Sequence, residues 1–278
     1  MAAASPPVDA EEPRCFVCLD PAKPDDALCS TGCACRGDSA GLLHFVCAVG
    51  AAQVNGRSWF KCLTCQQQFT GAFCLRLARE RCRLCADRPE EDEERLGVAV
   101  DLVEALWRTS ALTEALQLGI ETLSIARRVF GDEDDYTLRA MGRLAVVHSD
   151  MEDPAAALAL QTEVLAVRRR VSGDDHPGTL AAMNNPSVTH MNNGDSAAAL
   201  PLAREALGSK RRTLGNDDES TIVSIAHLAD VHSSMGNHDL VLPLGREALE
   251  TSRRVFGSQH LQTFRSAGNL GGFNCRYG

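Results

Sequence analysis

Seven cysteines and one histidine form four close pairs within residues 15–65 of this 278-residue chain. The pairs are Cys15 with Cys18, Cys33 with Cys35, His44 with Cys47, and Cys62 with Cys65. Two such ligands a few residues apart can bind one ion from a single turn, which is the spacing that tetrahedral zinc needs. Eight ligands fill two sites and leave no position for a water. This stretch therefore predicts two structural Zn²⁺ ions, and zinc-catalysed hydrolysis is not expected.

A cross-braced arrangement pairs the first group with the third and the second with the fourth. Site one would be Cys15, Cys18, His44 and Cys47, and site two would be Cys33, Cys35, Cys62 and Cys65. The alternation ties distant loops together, so the metals replace a hydrophobic core that so short a segment cannot supply. Cys29 competes with Cys33 for the second site, and we favour Cys33 because it pairs closely with Cys35. Cys82 and Cys85 have zinc spacing but no partner pair, so we interpret them as two helix thiols.

This ligand order resembles the RING-CH (RING-variant) zinc finger found in membrane-associated ubiquitin ligases. The resemblance covers about residues 14–70 and rests on Cys33-Ala34-Cys35-Arg36-Gly37 and Leu43-His44-Phe45-Val46-Cys47. It implies that a ubiquitin-conjugating enzyme is recruited through an apolar residue between the first two cysteines, here Val17, with no catalytic residue in the finger. Ala51 stands where that family has a helix tryptophan, and Gln66 follows the last ligand. The PHD finger, which shares the ligand order, is the alternative family.

Composition excludes several classes of protein. The hydrophobic content of 44% suffices for one or two domains with a hydrophobic core. The sequence contains no run of 18 apolar residues, so no membrane span is predicted. The net charge of −9 and the pI of about 5.4 disfavour nucleic acid as the main partner. Residues 1–13 lack the basic segment of a secretory signal and are expected to form a disordered lead. Twelve cysteines without an export signal indicate reduced thiols in the cytoplasm or nucleus.

The second half of the chain repeats itself with a period of 42 residues. An Arg-Arg pair recurs at Arg127, Arg169, Arg211 and Arg253, and three further columns obey the same step. These are threonine at 137, 179, 221 and 263, glutamate at 121, 163, 205 and 247, and leucine at 123, 165, 207 and 249. A period of this size with helical composition predicts an α-solenoid of helix pairs. The fold class is therefore mainly α, with the small finger in front.

The linker Gly173-Asp174-Asp175-His176-Pro177-Gly178-Thr179 resembles that of kinesin-light-chain-like tetratricopeptide repeats. The resemblance implies a right-handed superhelix over residues 96–278 whose inner face, lined by the first helix of each pair, binds a peptide or protein. Residues 71–95 are then a helix and an acidic linker. Pro186 predicts a kinked or late-starting helix. The last repeat is predicted to be incomplete, because the segment from Gly271 to Gly278 abandons the pattern.

One column of the first helices holds Arg143, Asn185, His227 and Asn269, and we call it the polar column. It predicts hydrogen bonds to the backbone of an extended peptide, although a solvated helix face is the simpler interpretation.

No nucleophile elbow, phosphate loop or dinucleotide fingerprint is present in the sequence. The leading hypothesis is a RING-type ubiquitin ligase or ligase adaptor whose repeats recruit a protein substrate, acting by proximity. The alternatives are a non-catalytic interaction scaffold with a structural zinc finger and, third, a PHD-like reader. No membrane partner is predicted.

Overall fold

The computed structural model describes residues 15, 17, 23–30, 42–62 and 68–277. Two units, Met1–Ile125 and Ala126–Gly278, make up the chain. The predicted lead at residues 1–13 and four predicted zinc ligands (Cys18, Cys33, Cys35 and Cys65) lie outside the described residues. None of the helices in the described part of the chain combines the length and apolar character needed to cross a membrane.

The first unit begins with a short antiparallel pair of strands, β1 (Leu28–Ser30) and β2 (Leu42–His44). Then follow α1 (Phe45–Val54), a 3₁₀ turn (Gly56–Trp59), α2 (Gly71–Leu84), α3 (Glu93–Arg108) and α4 (Leu112–Phe130), which runs across the unit boundary. The N-terminal core gathers aromatic and thiol side chains, among them Cys15, Trp59, Cys62, Phe69 and Phe73. The rings of Phe69 and Phe73 meet edge to face with centroids 5.1 Å apart, a favourable aromatic geometry.

The acidic linker supplies the start of α3. The Asp92 carboxylate accepts a hydrogen bond from the Arg95 backbone N–H at 2.9 Å, and Glu93 and Glu94 fill the first turn. Acidic side chains at a helix N-terminus stabilise the exposed N–H groups and the positive end of the helix dipole. The first repeat helix therefore begins at Glu93, three residues before the predicted boundary.

The second unit continues the helix pairs from α4 onward. Its helices are α5 (Asp135–Asp150), α6 (Pro154–Ser172), α7 (Pro177–Ala182), α8 (Asn184–Asn192), α9 (Ser196–Thr213), α10 (Glu219–Ser234), α11 (His238–Phe256) and α12 (Leu261–Tyr277). Small residues at the start of the second helices, Ala157 and Ala199, are fully buried and let paired helices approach closely. Ile222 and Ile225 of α10 lie in the apolar cluster between α9 and α11.

Pro186 interrupts the first helix of its repeat, as predicted. The helix is divided into α7 and α8 at Met183, which keeps helical dihedral angles (φ −60°, ψ −33°). Proline has no N–H for the carbonyl four residues earlier, and its ring crowds that carbonyl. The result is a local break within one helical path rather than a late start.

The turn between paired helices places one residue in the left-handed region. Gly194 and Gly236 occupy this position with φ of 81° and 75°, whereas Glu152 occupies it in the preceding repeat with φ of 60°. Glycine adopts this conformation without the steric cost that a Cβ atom brings.

Glu152→Gly should therefore raise the free energy of unfolding by about 1 kcal/mol, because it removes the cost of a left-handed non-glycine residue. Gly194→Ala, the reverse change at the matching position, should lower it by a similar amount. Urea denaturation followed by the circular dichroism of the helices measures both. A less stable Glu152→Gly variant would contradict this account of the turn.

The C-terminal segment is helical where the sequence pattern predicted that the repeat breaks down. Helix α12 continues through Gly271 and Gly272 to Tyr277. Phe273 is buried against Ala229 and Val241, and a Cβ atom on Gly245 of α11 would lie 3.2 Å from the Phe273 ring. Packing against α11 thus outweighs the low helix propensity of the glycines.

Candidate functional site

Three of the predicted ligands of site one converge in the described residues. One ligand atom each from Cys15, His44 and Cys47 lies within 4.8 Å of the others. Cys15 is fully buried and His44 is 1% exposed. The Cys47 Sγ lies 4.0 Å from His44 Nδ1. Residues 15 and 44 are far apart in sequence, so the fold, not local spacing, brings them together.

Two local features position this cluster. Leu28 of β1 lies opposite His44 of β2, so the strand pair holds the histidine at the point where α1 begins. The Asp26 carboxylate accepts hydrogen bonds from the backbone N–H groups of Phe45 and Val46 at 3.0 and 3.1 Å. This carboxylate caps α1 from a different segment of the chain, because His44, the N-cap residue, makes no side-chain cap.

The donor set fits zinc. Zn–S and Zn–N bonds of about 2.3 and 2.0 Å bring tetrahedral ligand atoms to within about 4 Å of one another, close to the spacing found here. The backbone N–H of His44 donates to the Cys15 Sγ at 3.4 Å, and such a donor stabilises a thiolate. The fourth predicted ligand, Cys18, lies outside the described residues. If bound, zinc would be held by these side chains and would serve as a structural crosslink.

Of the second predicted site, the structure describes only Cys62, which is 1% exposed. Cys29, the alternative to Cys33, accepts a hydrogen bond from the Arg76 guanidinium at 3.5 Å and donates to the Ala27 carbonyl at 3.5 Å. Cys82 lies on α2, and burial raises the pKa of its thiol. The interpretation of Cys82 as an ordinary helix thiol stays a prediction.

The polar column does not form one surface. Asn185 and Asn269 are exposed and Arg143 is half-buried, but His227 is only 7% exposed. Because its imidazole packs against the neighbouring repeat, His227 offers little surface to a peptide, and its predicted binding role stays a prediction. Arg143, Asn185 and Asn269 remain the predicted peptide contacts.

His227 belongs to a buried polar network between α8, α9 and α10. Its Nε2 lies 2.8 Å from the Ser187 Oγ, whose hydroxyl also bonds the Ala199 carbonyl at 2.9 Å. Lys210, 2% exposed, donates to the Ser224 Oγ at 3.0 Å, which also accepts from Asn184 at 2.8 Å. Burial lowers the pKa of Lys210 to about 8. Burial, followed by the nearby Lys210 charge, lowers the pKa of His227 to about 4.

The repeated Arg-Arg pairs mark ion pairs between neighbouring repeats. Arg127 of α4 pairs with Glu163 of α6 at 2.8 Å. The same pair recurs one period later between Arg169 and Glu205, and again between Arg211 and Glu247. We call this set the Arg–Glu column. It joins consecutive second helices. The internal repetition of the sequence showed the arginines and the glutamates as two separate columns but did not show that they form ion pairs.

A second missed feature is a histidine near the end of three consecutive first helices, α5, α8 and α10. His148 Nδ1 lies 3.1 Å from an Asp153 carboxylate oxygen, and His190 lies 3.6 Å from Asp195. In the next repeat His232 contacts Asn237 at 3.2 Å. Asp153 and Asp195 also cap the following helix. The histidines therefore stabilise the turns between paired helices. Their recurrence every 42 residues was the sequence signal that could have predicted this role.

Family models identify the helical pairs. Two models described as tetratricopeptide repeat match, one over residues 94–170 and 142–212 and the other over residues 221–262. Together these matches span more than half of the chain. The chain belongs to the tetratricopeptide-repeat family.

Solved structures support the same assignment. A Podosopora anserina protein, titled as a kinesin light chain with nearly identical TPR-like repeats, shares 19% identity and a TM-score of 0.58, covering 74% of this chain and 92% of that one. BtubC (BKLC) from P. vanneervenii shares 16% identity and a TM-score of 0.59, covering 78% and 81%. A Rap protein complexed with competence and sporulation factor shares 11% identity and a TM-score of 0.57, covering 73% and 59%. At these identities the likeness concerns the fold. No curated protein sequence matches the chain.

The tetratricopeptide repeats imply a protein-interaction scaffold, and their fold is similar to that of solved kinesin-light-chain-like repeats. The predicted solenoid of helix pairs and the predicted protein-interaction role are confirmed at this level. The zinc finger and the partners stay predictions.

Proposed function

We propose that this protein is a RING-type ubiquitin ligase or ligase adaptor in which a zinc-stabilised N-terminal finger recruits a ubiquitin-conjugating enzyme. The tetratricopeptide repeats would select the protein substrate. The observation that carries the proposal is the convergence of Cys15, His44 and Cys47 ahead of a protein-binding array. The finger supplies no reacting group. It would act by holding a thioester-charged enzyme near a substrate lysine.

Exposed apolar residues on the ligand-bearing segments support recruitment of a protein. Val17, next to the predicted ligand Cys18, is 47% exposed, and Val46, between His44 and Cys47, is 69% exposed. Exposed apolar side chains beside the proposed metal site are suited to docking rather than to core packing. Trp59, in contrast, is 8% exposed and packs within the core, so it is not offered to a partner.

The repeats are proposed to bind an extended segment of the substrate. Asn185 and Asn269 offer exposed amides two repeats apart in the same column, and Arg143, one repeat before Asn185, is half-buried. Amide side chains can bond a peptide backbone without regard to its sequence. A Rap protein of similar fold was solved with competence and sporulation factor, which supports binding on such a fold.

A non-catalytic scaffold with a structural zinc finger is the second candidate. The specific observation that favours it is Ala51, half-buried in α1, where the RING-CH resemblance implies a tryptophan. In that case the finger binds a protein without promoting transfer, and the reducing compartment predicted from the cysteines is unchanged.

An autoubiquitination assay of the full chain with a panel of conjugating enzymes tests the proposal. We expect transfer by the wild type, a loss of at least about tenfold in Val17→Asp because a charge replaces the apolar contact, and unchanged transfer in Val54→Asp. Val54 is the matched control because it is 92% exposed at the far end of α1. No transfer with any enzyme by a zinc-loaded chain would contradict the ligase proposal and favour the scaffold.

A further inference from the structure

The side chain at one position of the 42-residue step caps the first helix of each repeat from α5 onward. Asp134 and Asp218 accept the backbone N–H two residues ahead, at 2.8 Å in both cases. His176 and His260 accept the corresponding N–H through Nδ1, at 3.1 and 3.2 Å. We call Asp134, His176, Asp218 and His260 the cap column. Carboxylates and imidazoles therefore alternate along it, although the two groups respond differently to acid.

The His176 cap requires a neutral imidazole, because a ring nitrogen accepts a hydrogen bond only when it carries no proton. The capped amide belongs to Gly178 and is the first N–H of α7, since Pro177 has none. The N–H groups of Thr179 and Leu180 bond the His176 carbonyl instead, at 2.9 and 3.0 Å. Protonation of the imidazole therefore removes the hydrogen bond of one identified amide. It also places a positive charge at the positive end of the helix dipole.

The charged groups around His176 do not favour an imidazolium. A Cβ atom on Gly178 would lie 3.2 Å from both His176 Nδ1 and the guanidinium carbon of Arg168, so a positive charge from α6 lies close to the imidazole. The carboxylates of the surrounding segments are engaged by arginines: Asp135 by Arg168, Asp174 and Glu205 by Arg169, and Asp175 by Arg212. Helices α7 and α8 contain no acidic residue.

Other histidines of the repeats have surroundings that suit an imidazolium better. His260 stacks on Phe256 with ring centroids 4.7 Å apart, and an aromatic face attracts a cation. The turn histidines lie beside carboxylates: His148 beside Asp153 at 3.1 Å and His190 beside Asp195 at 3.6 Å. Among these four histidines, His176 is the one that would lose its hydrogen bond on protonation without a ring or a carboxylate to compensate.

We propose that His176 is an acid-sensitive cap that releases the first turn of α7 when the imidazole takes up a proton. Histidine changes its charge between about pH 5 and 8, whereas a carboxyl group can accept a hydrogen bond whether or not it is protonated. Helix α7 is suited to such a response because it has only six residues and ends at the break at Met183. Acid therefore loosens the start of one repeat while α5 and α10 keep their caps. This inference does not depend on the zinc finger or on ubiquitin transfer.

Amide hydrogen exchange of the full-length chain, followed by NMR at pH 7.5 and pH 5.5, tests the proposal. Protection factors are compared, because they remove the intrinsic pH dependence of exchange. The Gly178 amide should lose protection at least about fivefold at pH 5.5, which is the effect expected for the loss of one helix cap. The amides of Tyr136 and Ser220, which the carboxylate caps bond, should change less than about twofold. A general loss of stability in acid would affect all three amides alike.

Exchanging the two kinds of cap provides matched variants, because both residue types already occupy this position of the repeat. His176→Asp should abolish the acid response of the Gly178 amide, and Asp218→His should transfer that response to the Ser220 amide. A Gly178 response that is absent from the wild type, or that persists in His176→Asp, would overturn the proposal. Equal losses at all three amides of the wild type, or a Ser220 amide indifferent to acid in Asp218→His, would overturn it as well.

Discussion

Cys15→Ser should cost the N-terminal segment its zinc and its fold while leaving α5 to α12 intact. Cys15 is fully buried, lies within 4.8 Å of the His44 and Cys47 ligand atoms and accepts the His44 N–H at 3.4 Å. The strand pair and α1 share only a small apolar core with α2, and structural zinc contributes on the order of 10 kcal/mol to such a module. The serine hydroxyl does not ionise at neutral pH and so replaces a thiolate poorly.

Hydrogen exchange measured by mass spectrometry reads the two regions separately. We expect amides of residues 42–54 to lose protection in Cys15→Ser, and amides of α9 and α10 to keep it. Cys275→Ser is the matched control, because Cys275 is exposed on α12 and far in sequence from the predicted ligands. Unchanged protection of residues 42–54 together with unchanged zinc content would show that Cys15 is not a ligand.

Acidification from pH 6.5 to pH 4 should lower the free energy of unfolding by about 3 kcal/mol through His227 alone. Its pKa is lowered to about 4 in the folded protein by burial and by the neighbouring Lys210, against about 6.5 in an unfolded chain. Between these two values the unfolded chain binds a proton that the folded chain does not, so stability falls as the pH falls. Above about pH 7.5 the histidine is neutral in both states and contributes no slope.

The groups that face His227 explain the size of this effect. Ser187 and Ser224 are neutral, and Lys210 carries the charge nearest to His227. The Asp218 carboxylate acts on Lys210, whereas burial and the Lys210 charge both oppose an imidazolium at His227. His227→Met should flatten the stability curve between pH 6.5 and pH 4, whereas His238→Gln, at the exposed start of α11, should keep it. Urea denaturation at several pH values measures the difference. Parallel curves for the wild type and His227→Met would contradict the buried network.

The repeats were predictable from the sequence because residues that occupy the same structural position recur every 42 residues. Buried apolar positions such as Ile222 recur at helical spacing, and the effect of Pro186 follows from its missing N–H. Contacts between columns were not predictable. Arg169 and Glu205 are 36 residues apart, and only the superposition of neighbouring repeats makes them partners.

The burial of individual side chains could not be predicted from the sequence either. His227 shares a column with exposed asparagines, yet its imidazole is buried and contacts the Ser187 hydroxyl of the adjacent repeat. The segment from Gly271 to Gly278 was predicted to abandon the repeat pattern, yet α12 continues to Tyr277, with Phe273 packed beside Gly245. At the N-terminus, spacing alone predicted that Cys15 and His44 share a site, because zinc chemistry constrains ligands more tightly than packing constrains cores.

Native mass spectrometry of the full-length chain, purified with zinc present and without a metal-binding tag, tests the central claim most directly. Eight predicted ligands in two closed sites require two zinc ions per chain. We expect a mass increase that corresponds to two Zn²⁺ ions, each of which replaces two protons at a given charge state. A chelator should remove both ions under unfolding conditions. A chain that carries one zinc ion or none would contradict the cross-braced finger and, with it, the proposed recruitment of a conjugating enzyme.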